Sequence, residues 1–150
     1  HISQMPRLAG HPHAGFKTAA YLDNICARRE ALAHGADAAI LLNQHQRVAS
    51  ACAANLFIGD ANRLITPPVS EGALAGVIRN ILLAANDKNK LPQIEEAAIH
   101  IDQIKTAPII FMTNSLMELM PAFIGTQTNN APSPQTEAMV TRLLDYLQTD

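Results

Sequence analysis

The sequence predicts an α+β fold in which a mixed, barrel-like sheet carries flanking helices. Short β-favouring runs at Ala38–Leu42, Arg47–Ala51 and Asn55–Ile58 follow one another with polar turns between them. Longer stretches at Thr18–His34 and Gly72–Ala85 repeat apolar residues at three- and four-residue steps, the period of a helix. Hairpins and helices mixed in one chain of 150 residues select this class and leave room for one compact domain.

Each element has its own signal. Residues 1–16, HISQMPRLAGHPHAGF, carry Pro, Gly and His without a period and read as an extended lead-in. Leu22, Ile25, Cys26, Arg29 and Leu32 then form a helical stripe, with Gly35 as a left-handed stop. Ala38–Leu42 is too short for a typical helix and pairs with Arg47–Ala51 across NQHQ. After Asn55–Ile58, the turn GDAN leads to a fourth strand, Arg63–Thr66, stopped by Pro67 and Pro68, which cannot donate to a ladder. In Gly72–Ala85, Leu74, Val77, Ile78, Ile81 and Leu82 share one broad face. Asn86–Lys90 is a solvated loop, Ile94–Ile101 alternates loosely, and Ile101–Lys105 makes a helical turn. The β-branched and aromatic residues of Pro108–Thr113 make a buried strand. Asn129–Ser133 is loop, and Ser133 followed by Pro134 opens a last helix through Gln148, with Met139, Leu143, Leu144 and Leu147 inward.

Composition narrows the function classes. The chain is 48% apolar, which excludes intrinsic disorder, and its net charge of -2 lacks the dense basic face of a nucleic-acid binder. No apolar run reaches the roughly 18 residues of a membrane-spanning helix. Two cysteines, Cys26 and Cys52, make no disulfide framework and suit buried positions in a reducing cytoplasm. The chain begins at His1 and shows no signal-peptide core, so it is read as a piece of a longer gene product. Zinc spacings, a phosphate-binding P-loop, GxGxxG and GxSxG are all missing.

Three segments carry chemistry. Lys17 follows Gly-Phe and precedes Thr-Ala-Ala-Tyr-Leu, with no charge close by. Burial penalises an ammonium and favours the free amine that a Schiff-base lysine needs; a snorkelling surface lysine fits the same residues. Leu74-Ala-Gly-Val-Ile-Arg79 places a glycine before a helix start, where the N–H groups of Val77 and Ile78 can take a phosphate or simply begin an ordinary helix. Thr113-Asn114-Ser115 is a polar cluster directly after a buried strand, either a ligand loop or a plain turn.

Taken in order, these segments resemble the class IV aminotransferases, the pyridoxal-phosphate enzymes of fold type IV. The residues that carry the likeness are Lys17-Thr-Ala-Ala-Tyr-Leu22, Ser50-Ala-Cys-Ala-Ala-Asn55-Leu-Phe57, Thr66-Pro-Pro68, Leu74–Arg79 and Thr113-Asn-Ser-Leu-Met117 ending in Pro121. They span Lys17–Pro121, and jointly they are far more specific than any one motif. Within the family, CysAlaAlaAsnLeuPhe and AsnSerLeuMet look most like the aminodeoxychorismate lyases.

The resemblance implies pyridoxal phosphate as cofactor and a small amino compound as substrate. Residues 17–150 would be the large cofactor-binding domain. A small N-terminal domain, which lends a phosphate-binding arginine, would lie outside this chain, and the protein would be a homodimer. Lys17 matches the lysine that anchors the cofactor and moves the proton, and Tyr21 a tyrosine near its phenolic oxygen. Leu74 matches the residue under the pyridine ring. Val77 and Ile78 match the phosphate-binding amides, and Ser115 a hydroxyl on the phosphate. Ser50 stands where the family carries a Glu against the ring nitrogen, and Ala20 where Asn is frequent. A hydroxyl cannot hold that nitrogen protonated as a carboxylate does, so a weaker electron sink is expected. The implied reaction is release of pyruvate to give 4-aminobenzoate. The alternatives are transamination of a D- or branched-chain amino acid, and a non-catalytic fragment of such an enzyme.

Overall fold

The computed structural model describes residues 1–85, 91–125 and 131–149. Its elements in chain order are α1 (Leu22–Ala33), β1 (Ile40–Leu42), β2 (Val48–Ala51), β3 (Asn55–Gly59), β4 (Arg63–Thr66), α2 (Val77–Ala84), β5 (Gln93–Glu96), α3 (Ile101–Thr106), β6 (Ile109–Asn114), β7 (Glu118–Pro121) and α4 (Pro134–Thr149). The expected α+β class holds. The described strands form an antiparallel β1–β2 pair and a five-stranded sheet ordered β5-β4-β3-β6-β7, and they do not close into a barrel.

The five-stranded sheet is a two-sided wall. Phe57, Leu64, Ile109, Phe111 and Leu119 bury one face against Leu82 of α2 and Met139, Val140 and Leu143 of α4. Phe57 and Phe111 stack with ring centroids 5.0 Å apart. Leu56, Ile58, Ile65, Ile110 and Met112 bury the other face against Ile40, Val48 and Ala51 of the hairpin and Ile104 of α3. Along β3 the two sets alternate, as a strand covered on both faces requires. α1 closes the far side of the hairpin through Ala27 and Ala31, packed near Ala39, Leu41 and Cys52.

Several expectations are corrected. α1 starts at Leu22 rather than Thr18, and its leucine–isoleucine stripe does not pack inward: Leu22 is 69%, Ile25 49% and Leu32 55% exposed. The packed face is the alanine one, because two alanines let the helix lie close on the hairpin. Gly72–Ala85 is not one helix. A 3-10 turn, Val69–Glu71, ends at Gly72 with φ +99, and the helix begins only at Val77. Gly72 takes the left-handed conformation that costs a glycine little. Val77 and Ile81 are exposed while Leu82 is buried. Cys52 is buried, but Cys26 is half-buried.

Two strands escaped the sequence patterns. β5 carries Glu95 and Glu96 and pairs parallel with β4, so β4–α2–β5 is a crossover unit. β7 is a short edge strand that begins at Glu118 with φ +53 and ends on Pro121. The lead-in is extended as expected and is docked, with Ile2 bridging to Ile40 and Arg7 to Asn43. Ser133 caps α4 as its sequence suggests, its hydroxyl accepting from the Thr136 amide at 3.1 Å. The loop at Asn86–Lys90 and the first part of that at Asn129–Ser133 lie outside the described residues. Among the described residues, no helix is long and apolar enough to cross a membrane.

Candidate active site

The strand register gathers the polar residues at one end of the sheet. Asn55 at the start of β3 lies opposite Thr113 near the end of β6, Asn114 opposite Glu118 at the start of β7, and Thr66 beside Glu96 at the ends of β4 and β5. α2 departs from this same end: the Arg79 guanidinium donates to the Pro67 carbonyl at 2.8 Å and pairs with Glu96. Loops beyond the carboxyl ends of parallel strands, next to a crossover helix, are common places for ligands.

The centre of the arrangement is the turn Cys52–Asn55 between β2 and β3. The Tyr21 hydroxyl donates to the Cys52 carbonyl at 3.0 Å, and the Asn24 carboxamide donates to the same oxygen at 2.5 Å. The Asn114 side chain donates to the Ala53 carbonyl at 3.0 Å. The Asn55 side chain donates to the Leu74 carbonyl at 2.8 Å. Three remote segments thus rest on four residues.

Each predicted residue can now be placed. Tyr21 is partly exposed. Its partial burial and the neighbouring Cys52 thiol raise the phenol above its ordinary value, against the opposing pull of Arg7 and Arg28. Leu74 is half-buried, and Val77 and Ile78 open α2 after Gly76. No side chain of the described residues caps this helix end, the amides of Val77 and Ile78 find no partner within the helix, and the dipole favours an anion there. Ser115 is exposed on the β6–β7 hairpin, where Asn114 Oδ1 accepts from the amides of Leu116 at 2.9 Å and Met117 at 2.8 Å.

Lys17 and Ser50 are not drawn into this hydrogen-bonded cluster. Ser50 is 7% exposed on β2, opposite Leu41. Lys17 is exposed, and so are Phe16, Thr18, Ala19, Ala20 and Tyr21 around it. The apolar setting expected for the amine is therefore not built by the described residues: its neighbours face solvent themselves. The segment does approach the site, since Gly15 lies so close to Val69 that an added Cβ would stand 3.2 Å from that side chain.

Sequence reasoning missed the residues that hold the parts together. Arg7 donates to the Gly72 carbonyl at 3.2 Å and to Asn24 Oδ1 at 3.2 Å, joining the lead-in to both sides of the site. Glu71 accepts from Arg47 Nε at 2.8 Å and from the Asn43 side chain at 2.5 Å, bracing the 3-10 turn. The Arg47 hydrogen bond is the main reason its carboxyl lies below the usual range, burial working against it and Asn43 assisting. Asn55 and Asn114 stand inside recognisable motifs, but their acceptors are backbone carbonyls, which no side-chain pattern reveals.

Comparison with known proteins places this geometry. The chain is 35% identical over 102 residues to a protein described as a branched-chain-amino-acid aminotransferase of Aquifex aeolicus, covering 68% of this chain and 33% of that one. It is 29% identical over 101 residues to an aminodeoxychorismate lyase of Bacillus subtilis, covering 67% and 34%. A solved structure described as a 4-amino-4-deoxychorismate lyase, from Legionella pneumophila, superimposes with a TM-score of 0.84 at 28% identity, covering 99% of this chain and 54% of that one. The chain spans about a third of the length of these curated relatives. The sequence profile of amino-transferase class IV matches residues 1–122, and the chain belongs to that family.

Proposed function

We propose that this chain is the large domain of a pyridoxal-phosphate-dependent lyase of the aminodeoxychorismate type, which releases pyruvate and leaves 4-aminobenzoate. One observation carries the cofactor reading: Tyr21, Leu74 and the Asn114–Ser115 hairpin converge on the Cys52–Asn55 turn, beside an uncapped helix end. The lyase reading draws support from CysAlaAlaAsnLeuPhe and from the two similar proteins of that description.

The residues fit the phosphate of such a cofactor. Uncapped amides at Val77 and Ile78 bind a dianion without a side-chain competitor, and the Ser115 hydroxyl is free to approach it. Half-buried Leu74 offers an apolar surface for a flat ring. Pyridoxal phosphate, when bound, supplies an aldehyde that captures amines and a ring that accepts electrons. Lys17 holds the amine that engages it and carries the proton between substrate positions. Tyr21 already donates its proton to the Cys52 carbonyl, so towards a ligand its oxygen is left to accept. Ser50 contributes a neutral hydroxyl where the family resemblance implies a carboxylate. In this reading a small N-terminal domain supplies an arginine and the rest of the pocket, and the protein is a cytoplasmic homodimer.

A second reading, branched-chain aminotransferase, is favoured by the 35% identity to the Aquifex protein. Titration with pyridoxal phosphate tests the shared part: the cofactor's absorbance shifts on binding, and Lys17→Ala removes the shift. No binding at millimolar excess leaves a non-catalytic remnant of the family. Where binding occurs, pyruvate released from aminodeoxychorismate identifies the lyase, and amino transfer to an α-keto acid identifies the transaminase.

A further inference from the structure

We propose that Asn55 is a positioning residue of the phosphate-binding turn. It fixes where the amides of Val77 and Ile78 stand, and it touches the phosphate only through them. This rests on the cofactor reading above.

Asn55 is 6% exposed, and both ends of its carboxamide engage the turn. Its Nδ2 donates to the Leu74 carbonyl at 2.8 Å. Its Oδ1 lies against Gly76 so closely that a Cβ on that glycine would stand 2.2 Å away. A side chain at position 76 would therefore push the Asn55 carboxamide aside, although the backbone φ of -66 is itself open to any residue. The turn is held from one side by a side chain rooted in the central strand of the sheet.

A second observation points to the same place. Thr113 is directly opposite Asn55 in the β3–β6 ladder, so the two side chains share a face, the one covered by α2 and α4. Thr113 is 1% exposed, and its hydroxyl has no hydrogen-bond partner among the described residues. Buried hydroxyls are nearly always paired. One left open beside Asn55 marks this end of the sheet as built for a polar guest.

The consequence is selective. Loss of the Asn55 bond leaves the Leu74 carbonyl to the Gly76 amide alone and frees the turn from the sheet, while Lys17 lies on another segment. The test compares pyridoxal phosphate with pyridoxal, which has the aldehyde and no phosphate. For Asn55→Ala, affinity for pyridoxal phosphate should fall about tenfold, the effect of one hydrogen bond, while affinity for pyridoxal, which uses Leu74 but not the amides, falls by much less. Gly76→Ala displaces the same pair from the other side and should show the same selectivity; it serves where Asn55→Ala does not fold. Equal losses for both ligands, or no loss, overturn the positioning role. A wild-type chain that binds neither ligand overturns the cofactor reading, and this inference with it.

Discussion

Ser50→Glu introduces the carboxylate that the family resemblance implies at this position, and its effect follows from the burial of the site. Ser50 is 7% exposed on β2 and faces Leu41 across the hairpin, with no positive side chain bonded to it among the described residues. A carboxylate there loses water and gains nothing in the chain alone, so its folded pKa rises above the unfolded value of about 4.3. A rise of about two units corresponds to about 2.7 kcal/mol. The sign follows from linkage: the protonated form carries no such penalty, so the loss is absent below about pH 4 and grows as pH rises to the folded pKa. In a chain of this length that amounts to a melting temperature lower by about 5–10 °C at pH 8. Pyridoxal phosphate should reverse much of the loss, because its protonated ring nitrogen would pair with the new charge, and turnover should increase. Thermal melts of both proteins at pH 4 and pH 8, with and without cofactor, read all of this. A Ser50→Glu protein with the same deficit at both pH values, untouched by cofactor, or with unchanged or lower turnover, would refute the assignment of this position.

Other outcomes follow from the same coordinates. Glu71→Gln removes a carboxylate held below its usual range by Arg47; the wild type should melt several degrees higher above about pH 4.5, and the gap should close as pH falls through the folded pKa. Leu22→Ser or Leu32→Ser should shift stability by less than about 0.5 kcal/mol in urea titrations, since both side chains are already in solvent. Ala31→Leu should cost about 1–3 kcal/mol in the same assay, because it overfills a fully buried contact. Leu143→Ala should cost about 3 kcal/mol, from the cavity it leaves between α4 and the sheet.

Much of this was legible in the sequence, and the failures have physical causes. β1 to β4, β6 and α4 follow from apolar runs bounded by turn residues, and the Ser133 cap announces itself. α1 misleads because periodicity shows that a helix has a stripe without showing which stripe packs. Leu22, Ile25 and Leu32 outweigh Ala27 and Ala31 in hydrophobicity, yet close approach to the hairpin selects the small residues. β5 hides because half of it is glutamate, one of which serves the buried Arg79. The parallel pairing of β4 with β5 is a long-range fact that no local window contains. Motif order named Tyr21, Leu74 and the hairpin of Asn114 and Ser115, and hydrogen bonds from Tyr21, Asn55 and Asn114 tie those three segments to the Cys52–Asn55 turn. It said nothing of Arg7, Asn24 or the carbonyls of Cys52 and Ala53, since those bonds depend on main-chain acceptors placed by the fold.

The crossover β4–α2–β5 also has a kinetic meaning. A parallel pair cannot be nucleated by a tight hairpin, and distant contacts of this kind form slowly. The crossover that carries the Val77 and Ile78 amides is complete when β5 reaches β4, whereas the antiparallel β3–β4 and β6–β7 ladders can zip earlier from their short connections. During refolding, sheet signal should precede ligand affinity, so the ability to bind reports completion of the slowest step in assembly.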